Sequence, residues 1–304
     1  MTRLPITKTP KVYVGGAFIR SESARTFPLH DDAGNFFANI PQCTRKDLRN
    51  AVEAAAKAGP AWAKRTPYNR GQIIYRLGEM LEARKADMLD ALMLGAAATA
   101  PQNGREGRRG RRPSKSAATR EITATIDRLI YYAGWADKYE QVLGSVNPVA
   151  APYFNFTVTE PMGIVGILAP EEAPLLALVS LLAPVITSGN TVIALASTAQ
   201  PYPAIVLGEM LATSDLPGGV VNLLTGFRQE IVPTMATHAH LRALGGVANA
   251  EERKALQLGA AESVKRVKLR KTEEPVDWFS DEAQSLYELR DYLEFKTTWH
   301  PVGA

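Results

Sequence analysis

Apolar residues fall along the chain in three regimes, each predicting a different kind of element. Lys11 to Arg20 alternates around Gly15-Gly16, with Tyr13 and Phe18 in β-rich surroundings, and predicts two short strands joined by a turn. From Thr44 the period lengthens: Leu48, Val52 and Ala55 recur at helical spacing behind a Thr44/Asp47 N-cap signature, and Gly59-Pro60 is expected to stop that helix. Thr66 caps a second helix with Pro67 at its first position, its buried stripe formed by Ile73, Ile74, Leu77 and Leu81. Met88, Leu89, Leu92 and Met93 continue the helical layer. After Leu94 the period collapses into a Gly-, Pro-, Ser- and Arg-dense tract, read as a disordered insert over about 96–120. Order returns at Glu121, where Ile126, Leu129 and Ile130 lead a helix into Tyr131–Trp135.

The second half changes period again. Tyr153 to Thr159 alternates, with Tyr153, Asn155, Thr157 and Thr159 on one face and Phe154, Phe156 and Val158 on the other, as in an amphipathic strand. Gly163 to Leu168 is fully apolar, Pro174 opens a helix to about Ser188, and Thr191 to Ala196 is a second apolar run. A helix over about Pro203 to Ala212 and a third strand, Val220 to Leu224, follow. Apolar strands alternating with helices at short intervals predict an α/β fold with an open, doubly wound, Rossmann-like parallel sheet. Its crevice should open at the carboxyl ends of those strands, around Ala169 to Glu172, Leu195 to Thr198 and Thr225 to Phe227.

Composition removes several function classes. With 304 residues, 46% hydrophobic and 22% charged, the chain has material for a large core. The net charge is +4, yet Pro101 to Ser116 alone carries six positive residues and one negative. The basicity therefore belongs to one tract and not to a body shaped to lie along nucleic acid or an anionic membrane. A single cysteine, Cys43, excludes an internal disulfide and any cysteine-rich zinc site, and fits a soluble cytoplasmic protein. The longest apolar stretch, Leu175 to Ile186, falls short of the roughly 20 residues that span a bilayer.

Three ordered motifs, Glu160 to Pro170 (EPMGIVGILAP), Ser188 to Ala194 (SGNTVIA) and Leu216 to Gly226 (LPGGVVNLLTG), closely resemble the cofactor domain of NAD(P)-dependent aldehyde dehydrogenases. The N-terminal helices, Tyr131 to Trp135, the strand at Tyr153 and the C-terminal Lys296 to Pro301 resemble that family as well. The resemblance implies an N-terminal hairpin and helices over 1–140, bridging strands over 141–160, a cofactor-type domain over 160–270 and a C-terminal bridging segment over 285–304. The family's functional positions are altered. Glu172 stands where the family has an asparagine that donates an N–H to an oxyanion, and a carboxylate only accepts. Leu195, Ala196, Ser197 and Thr198 stand where a Lys-Pro-x-Glu motif binds the adenosine ribose. Arg270 stands where the general-base glutamate would be, and the C-terminal segment follows within a few tens of residues, with no domain carrying the nucleophilic cysteine between them. Cys43 lies far along the sequence from the crevice, without a paired histidine.

A cysteine-less module of this kind is similar to the second half of the family's two-module class, and its own Met1 suggests a separate subunit. The resemblance thus implies an inert structural or regulatory subunit of an aldehyde dehydrogenase assembly. The alternative is an NAD(P)-dependent aldehyde oxidoreductase that borrows its thiol from a partner; a stand-alone dinucleotide- or phosphate-binding module is a third reading. No catalytic residue or metal ligand is assigned and no cofactor is required, with weak NAD(P) binding left open in a vestigial crevice of Ala169, Pro170, Leu195, Ser197, Thr198 and Gly226. Phe295, Thr297 and Trp299 alternate as a strand expected at a subunit interface, in a homo-oligomer or against a full-length aldehyde dehydrogenase, without nucleic acid or membrane.

Three further features carry two readings each. Glu171-Glu172 is read as a solvated helix N-terminus rather than an acid/base pair or cation site. His238-x-His240 is read as a surface loop rather than a metal site, and Arg105 to Arg112 as a solvated tract rather than a phosphate-binding one.

Overall fold

The computed structural model describes residues 8–30, 34–95 and 113–303. The N-terminal part runs through β1 (Val12–Val14), β2 (Ala17–Ile19), β3 (Thr26–His30), β4 (Phe36–Pro41), α1 (Arg45–Ala63), α2 (Pro67–Ala83) and α3 (Lys85–Gly95). Then come α4 (Lys115–Trp135), α5 (Tyr139–Leu143), β5 (Ser145–Asn147) and β6 (Tyr153–Pro161). The β/α unit follows as β7 (Ile164–Leu168), α6 (Leu176–Thr187), β8 (Thr191–Leu195), α7 (Tyr202–Leu211), β9 (Val221–Leu224), α8 (Arg228–Thr237), β10 (Leu241–Ala248), α9 (Ala250–Ala261) and β11 (Arg266–Lys271). A short helix α10 (Leu286–Arg290) and β12 (Leu293–Pro301) end the described chain.

Among the described residues the strands form three sheets, the largest ordered β11-β10-β7-β8-β9-β1-β2. The five strands from β11 to β9 are parallel, and the N-terminal hairpin β1-β2 continues the sheet antiparallel beyond β9. The chain steps outward from β7 to β8 and β9, then returns to lay β10 on the other side of β7. Strand order reverses there, so a crevice opens beyond the carboxyl ends of β7 and β10. Helix α6, apolar on every side, is buried along its whole length, which explains why its sequence shows no polar face.

Local chemistry accounts for the boundaries, with two differences from the sequence reading. Thr44 and Asp47 form a reciprocal capping box, and Thr66 accepts from the Asn69 N–H with Pro67 at N1. Helix α1, however, runs through Pro60 to Ala63. Its last turn is held by Trp62, wholly buried, whose indole N–H donates to the Ile186 carbonyl at 3.0 Å. This tertiary anchor outweighs the intrahelical bond lost at proline. The insert expected over about 96–120 lies outside the described residues for 96–112, and from Lys115 onward it is helix, because Ser114 accepts from the Ala117 N–H and starts α4. Arg105 to Arg112 likewise lies outside the described residues.

The bridging strands pair within this chain. β12 runs antiparallel to β6 from Leu293↔Pro161 to Pro301↔Tyr153, and β5 pairs on the other side, giving a three-stranded sheet ordered β12-β6-β5. Phe295, Thr297 and Trp299 therefore meet Thr159, Thr157 and Asn155 of their own subunit. The pairing of these residues across subunits expected from the sequence is not needed on that side, and β12 keeps one edge without a strand partner among the described residues.

Candidate functional site

The crevice at the sheet's switch point has a volume of about 630 Å³, between the loop after β7 (Pro170, Glu171, Glu172) and the start of α9 (Asn249, Glu251, Glu252). Four carboxylates, those of Glu171, Glu172, Glu251 and Glu252, and one guanidinium, that of Arg228, are among its lining residues. Of the six residues expected there, Pro170 and Thr198 line it. Ala169, Leu195 and Ser197 lie beneath it, each at most 1% exposed. Gly226 sits behind the rim at φ +141°, where a side chain would run into the Cys43 backbone. Leu195 belongs to the packed core with Ile193 and Leu224, so the position expected to contact a ribose faces apolar neighbours.

Much of the polar capacity of the crevice is already used by the chain. The Glu171 carboxylate accepts from Ser197 Oγ, from the Thr198 N–H at 3.3 Å and from the Ala199 N–H at 2.9 Å. Thr198 Oγ1 turns the other way and donates to the Gly226 carbonyl at 3.1 Å. Arg228 bridges the sheet end, donating to the Ala169 carbonyl, to the Val247 carbonyl at 2.9 Å and to Glu252 at 2.9 Å. Glu252 also closes a capping box with Asn249, so the start of α9 meets its own side chains, and its first turn carries Glu251 and Glu252. A free helix N-terminus attracts anions; this one is already capped and negatively charged.

Glu171 and Glu172 do not sit on a helix N-terminus as expected. Helix α6 begins at Leu176, beyond a turn in which Ala173 adopts φ +44°. The α6 donors are taken instead by Glu121, a buried carboxylate on α4 that accepts from the Leu175 N–H at 2.9 Å and the Leu176 N–H at 3.2 Å. Burial raises its pKa, and those two bonds pull the other way. A glutamate on a helix 54 residues upstream of its partner leaves no local signature in sequence.

Cys43 is closer to the sheet end than its position in the sequence suggests. Its N–H donates to the Thr225 carbonyl at 2.9 Å, and its side chain is wholly buried. Desolvation, then the Asp47 carboxylate, push its thiol up to about 12. The buried Asp47 is itself saturated, accepting from Ser21 Oγ, the Glu22 N–H and the Thr44 N–H at 2.7–2.9 Å. A thiol so placed is a core residue at neutral pH.

Arg270, on the edge strand β11, faces the segment that follows it. Its guanidinium donates to Glu288 at 2.8 Å and lies 5.3 Å from the centre of the Trp278 ring. Arg128, buried on α4, grips the same segment through the Trp278 carbonyl at 3.0 Å and the Ala283 carbonyl at 2.6 Å, with Ser180 Oγ at 2.7 Å. Trp278, Ala283, Leu289 and Tyr292 are thereby packed into the domain. His238 and His240 occupy the turn before β10, their rings 5.9 Å apart, and no group of three or more metal-type side chains occurs among the described residues. No helix among those residues is long and apolar enough to cross a membrane.

Comparison with known proteins agrees with this architecture. Residues 18–271 match the model of the aldehyde dehydrogenase family. The putative aldehyde dehydrogenase DhaS of Bacillus subtilis (strain 168) is 28% identical over 264 residues, covering 86% of this chain and 50% of its own length. Human retinal dehydrogenase 2 is 30% identical over 267 residues, covering 86% and 48%. An NAD+ complex of an aldehyde dehydrogenase from Bacillus cereus shares the fold with a TM-score of 0.77 at 24% identity, covering 87% of this chain and 51% of that one. HpcC from Thermus thermophilus superposes with a TM-score of 0.77 at 25% identity, covering 86% and 48%. The chain spans about half the length of the curated relatives it matches. With most of its length matched to the family model and its sheet reproducing the family's fold, the chain belongs to the aldehyde dehydrogenase family.

Proposed function

We propose that this chain is a non-catalytic aldehyde dehydrogenase module, a structural subunit whose bridging sheet serves association. The observation that carries the reading is the use made of Arg270. At the position that the resemblance assigns to the family's general base, a guanidinium is tied to Glu288 and helps to bind a packed segment between β11 and β12. Only 21 residues separate those strands, too few for a domain that would bring a nucleophilic thiol to the crevice. The chain's one cysteine is buried and protonated.

The dinucleotide of the family does not fit the crevice. A pyrophosphate needs N–H donors or cations, and here it meets four carboxylates and an arginine already bound to two carbonyls and Glu252. A ribose needs hydrogen-bonding side chains, and Leu195 is core. Loss of the ribose contacts alone weakens binding by on the order of 2 kcal/mol where the hydroxyls stay desolvated. No chemical step is therefore assigned through NAD(P). The single buried thiol fits a reducing compartment, and we place the protein in the cytoplasm on that basis. Titration calorimetry of the purified chain with NAD+ and NADP+ tests the reading: no saturable heat is expected into the millimolar range, and micromolar affinity for either would overturn it.

A further inference from the structure

Residues 273–291, between β11 and β12, lie beyond the last residue of the family match, and their charge sets them apart from the rest of the chain. They include seven acidic residues and one basic, in a chain whose net charge is positive. The segment rests on cationic side chains of α4 and β11. Arg120 lies over the Phe279 ring, 4.3 Å from its centre, as Arg270 lies beside Trp278. Glu288 pairs with Arg270 and Asp291 with Lys268, and at the near end Glu273 pairs with Arg253 of α9 at 3.4 Å.

The same surface reads the main chain of the segment. Arg128 donates to the Trp278 and Ala283 carbonyls, and Arg266 to the Asp291 carbonyl at 2.9 Å. Donors aimed at carbonyls, with pockets for a few side chains, are the means by which a protein grips a peptide. The segment has little structure of its own: a three-residue 3-10 turn, Asp281–Ala283, and the five-residue α10, each too short to persist alone. Its buried apolar anchors are Trp278, Ala283 and Leu289, few against the entropy of ordering nineteen residues, so charge supplies much of what holds it down.

We infer that α4 and β11 form a docking groove for an acidic, aromatic-anchored peptide, and that residues 273–291 are its resident ligand, an exchangeable strap that leaves as a unit while the parallel sheet stays folded. Segments with few buried apolar contacts open at lower free energy than the core around them. Both ends of this one are fixed without it. The Thr272 N–H donates to the Ala248 carbonyl at 3.2 Å, and at the other end Tyr292 is buried and Leu293 begins the ladder with β6. What lies between can lift with neither strand unpaired. The buried Arg128 guanidinium has neutral acceptors, the two strap carbonyls and Ser180 Oγ, and its Nε has no hydrogen-bond partner among the described residues. Lifting the strap bares this cation beside Arg270, so the ligand that the emptied groove takes is an acidic segment, and the one it fits is this sequence supplied in trans.

Hydrogen exchange of the intact chain, read by mass spectrometry in about 0.1 M and about 1 M sodium chloride, tests the strap, because the screening length falls from about 10 Å to about 3 Å between them. Strap amides should exchange at least tenfold faster than those of β7, β8 and β9 at either salt, and at least threefold faster at the higher, with the sheet unchanged. Exchange in trans is read by fluorescence anisotropy with a labelled peptide of residues 273–291. The full chain carrying Trp278→Ala and Glu288→Gln, its own strap weakened, should bind this peptide at least tenfold more tightly than the parent chain, whose resident strap competes. The peptide made with Glu288→Gln and Asp291→Asn should bind that chain at least tenfold more weakly. Strap amides protected as strongly as the sheet, or indifferent to salt, overturn the electrostatic strap. A weakened chain whose strap exchanges freely yet binds no peptide, or binds the neutralised peptide equally well, overturns the groove. Circular dichroism establishes that the variant is folded before binding is scored.

Discussion

Replacing Arg270 by alanine asks whether this arginine is a structural clamp on the segment after β11. The guanidinium and the Glu288 carboxylate are 21% and 15% exposed and 2.8 Å apart, between the fully buried and the surface case. Breaking a buried pair by removing one partner costs about 3–5 kcal/mol, and an exposed pair is worth about 0.2–1 kcal/mol, so roughly 1.5–2 kcal/mol is expected here. The contact with the Trp278 ring adds about 0.5–1 kcal/mol, bringing the total to about 2–3 kcal/mol. At about 2.1 cal/mol/K of unfolding entropy per residue, a chain of 304 residues loses about 1.5 °C of Tm per kcal/mol, so Arg270→Ala should melt roughly 3–5 °C lower. The assay is differential scanning calorimetry of Arg270→Ala, Glu288→Ala and the double variant, with limited proteolysis of the 272–292 segment alongside. The cycle should give a coupling of about 1 kcal/mol and faster cleavage in both single variants. Arg270→Glu should melt lower still, since it sets two carboxylates together. A Tm within 1 °C of the parent and unchanged proteolysis for Arg270→Ala would refute the clamp.

Two further outcomes follow from the buried groups. Cys43 should react with a thiol reagent in the native protein at pH 8 at least about a thousandfold more slowly than in urea, because a thiol near 12 is about one part in ten thousand ionised there; a rapid native reaction would contradict its burial. For Glu121 the sign is that of a carboxyl whose folded pKa is raised: the folded state holds the proton more tightly, so its contribution is most favourable below the ordinary carboxylate range and declines as pH rises through the raised value. Glu121→Gln should flatten the stability curve from the ordinary carboxylate range upward, measured as urea midpoints. Glu121→Ala, which leaves the Leu175 and Leu176 N–H groups without their acceptor, should lose about 2–4 kcal/mol. A Glu121→Gln curve parallel to that of the parent would show that the carboxyl does not titrate as described.

What the sequence disclosed and what it concealed divide along a physical line. Elements whose cause is local were legible: the Thr44/Asp47 box, Pro67 at N1, and the apolar runs of β7, β8 and β9. The continuation of α1 through Pro60 was hidden because its cause, the Trp62 bond to Ile186, is tertiary. The far wall of the crevice was hidden for a similar reason. β10 reads as a weak strand with two glycines, and Gly246 is there because a side chain would meet the Leu168 carbonyl of β7 at 2.1 Å. At the site, the partners that hold the chain's present arrangement left no signal in sequence. Glu121, which accepts from the start of α6, Arg128, which grips the segment after β11, and Glu288, which holds Arg270, lie tens of residues from their partners or in a segment beyond the family match. The alternation of Phe295, Thr297 and Trp299 revealed a strand, but its first partner, β6, is more than a hundred residues distant and within the same chain.

The measurement that reaches the central claim most directly is aldehyde-dependent formation of NADH or NADPH by the purified chain, across aliphatic and aromatic aldehydes, compared with its Cys43→Ser variant. The account predicts no turnover above the protein-free rate for either protein, since the only thiol is buried behind Gly226 and the guanidinium of Arg270 is bound to Glu288. Turnover by the parent that disappears in Cys43→Ser would contradict it.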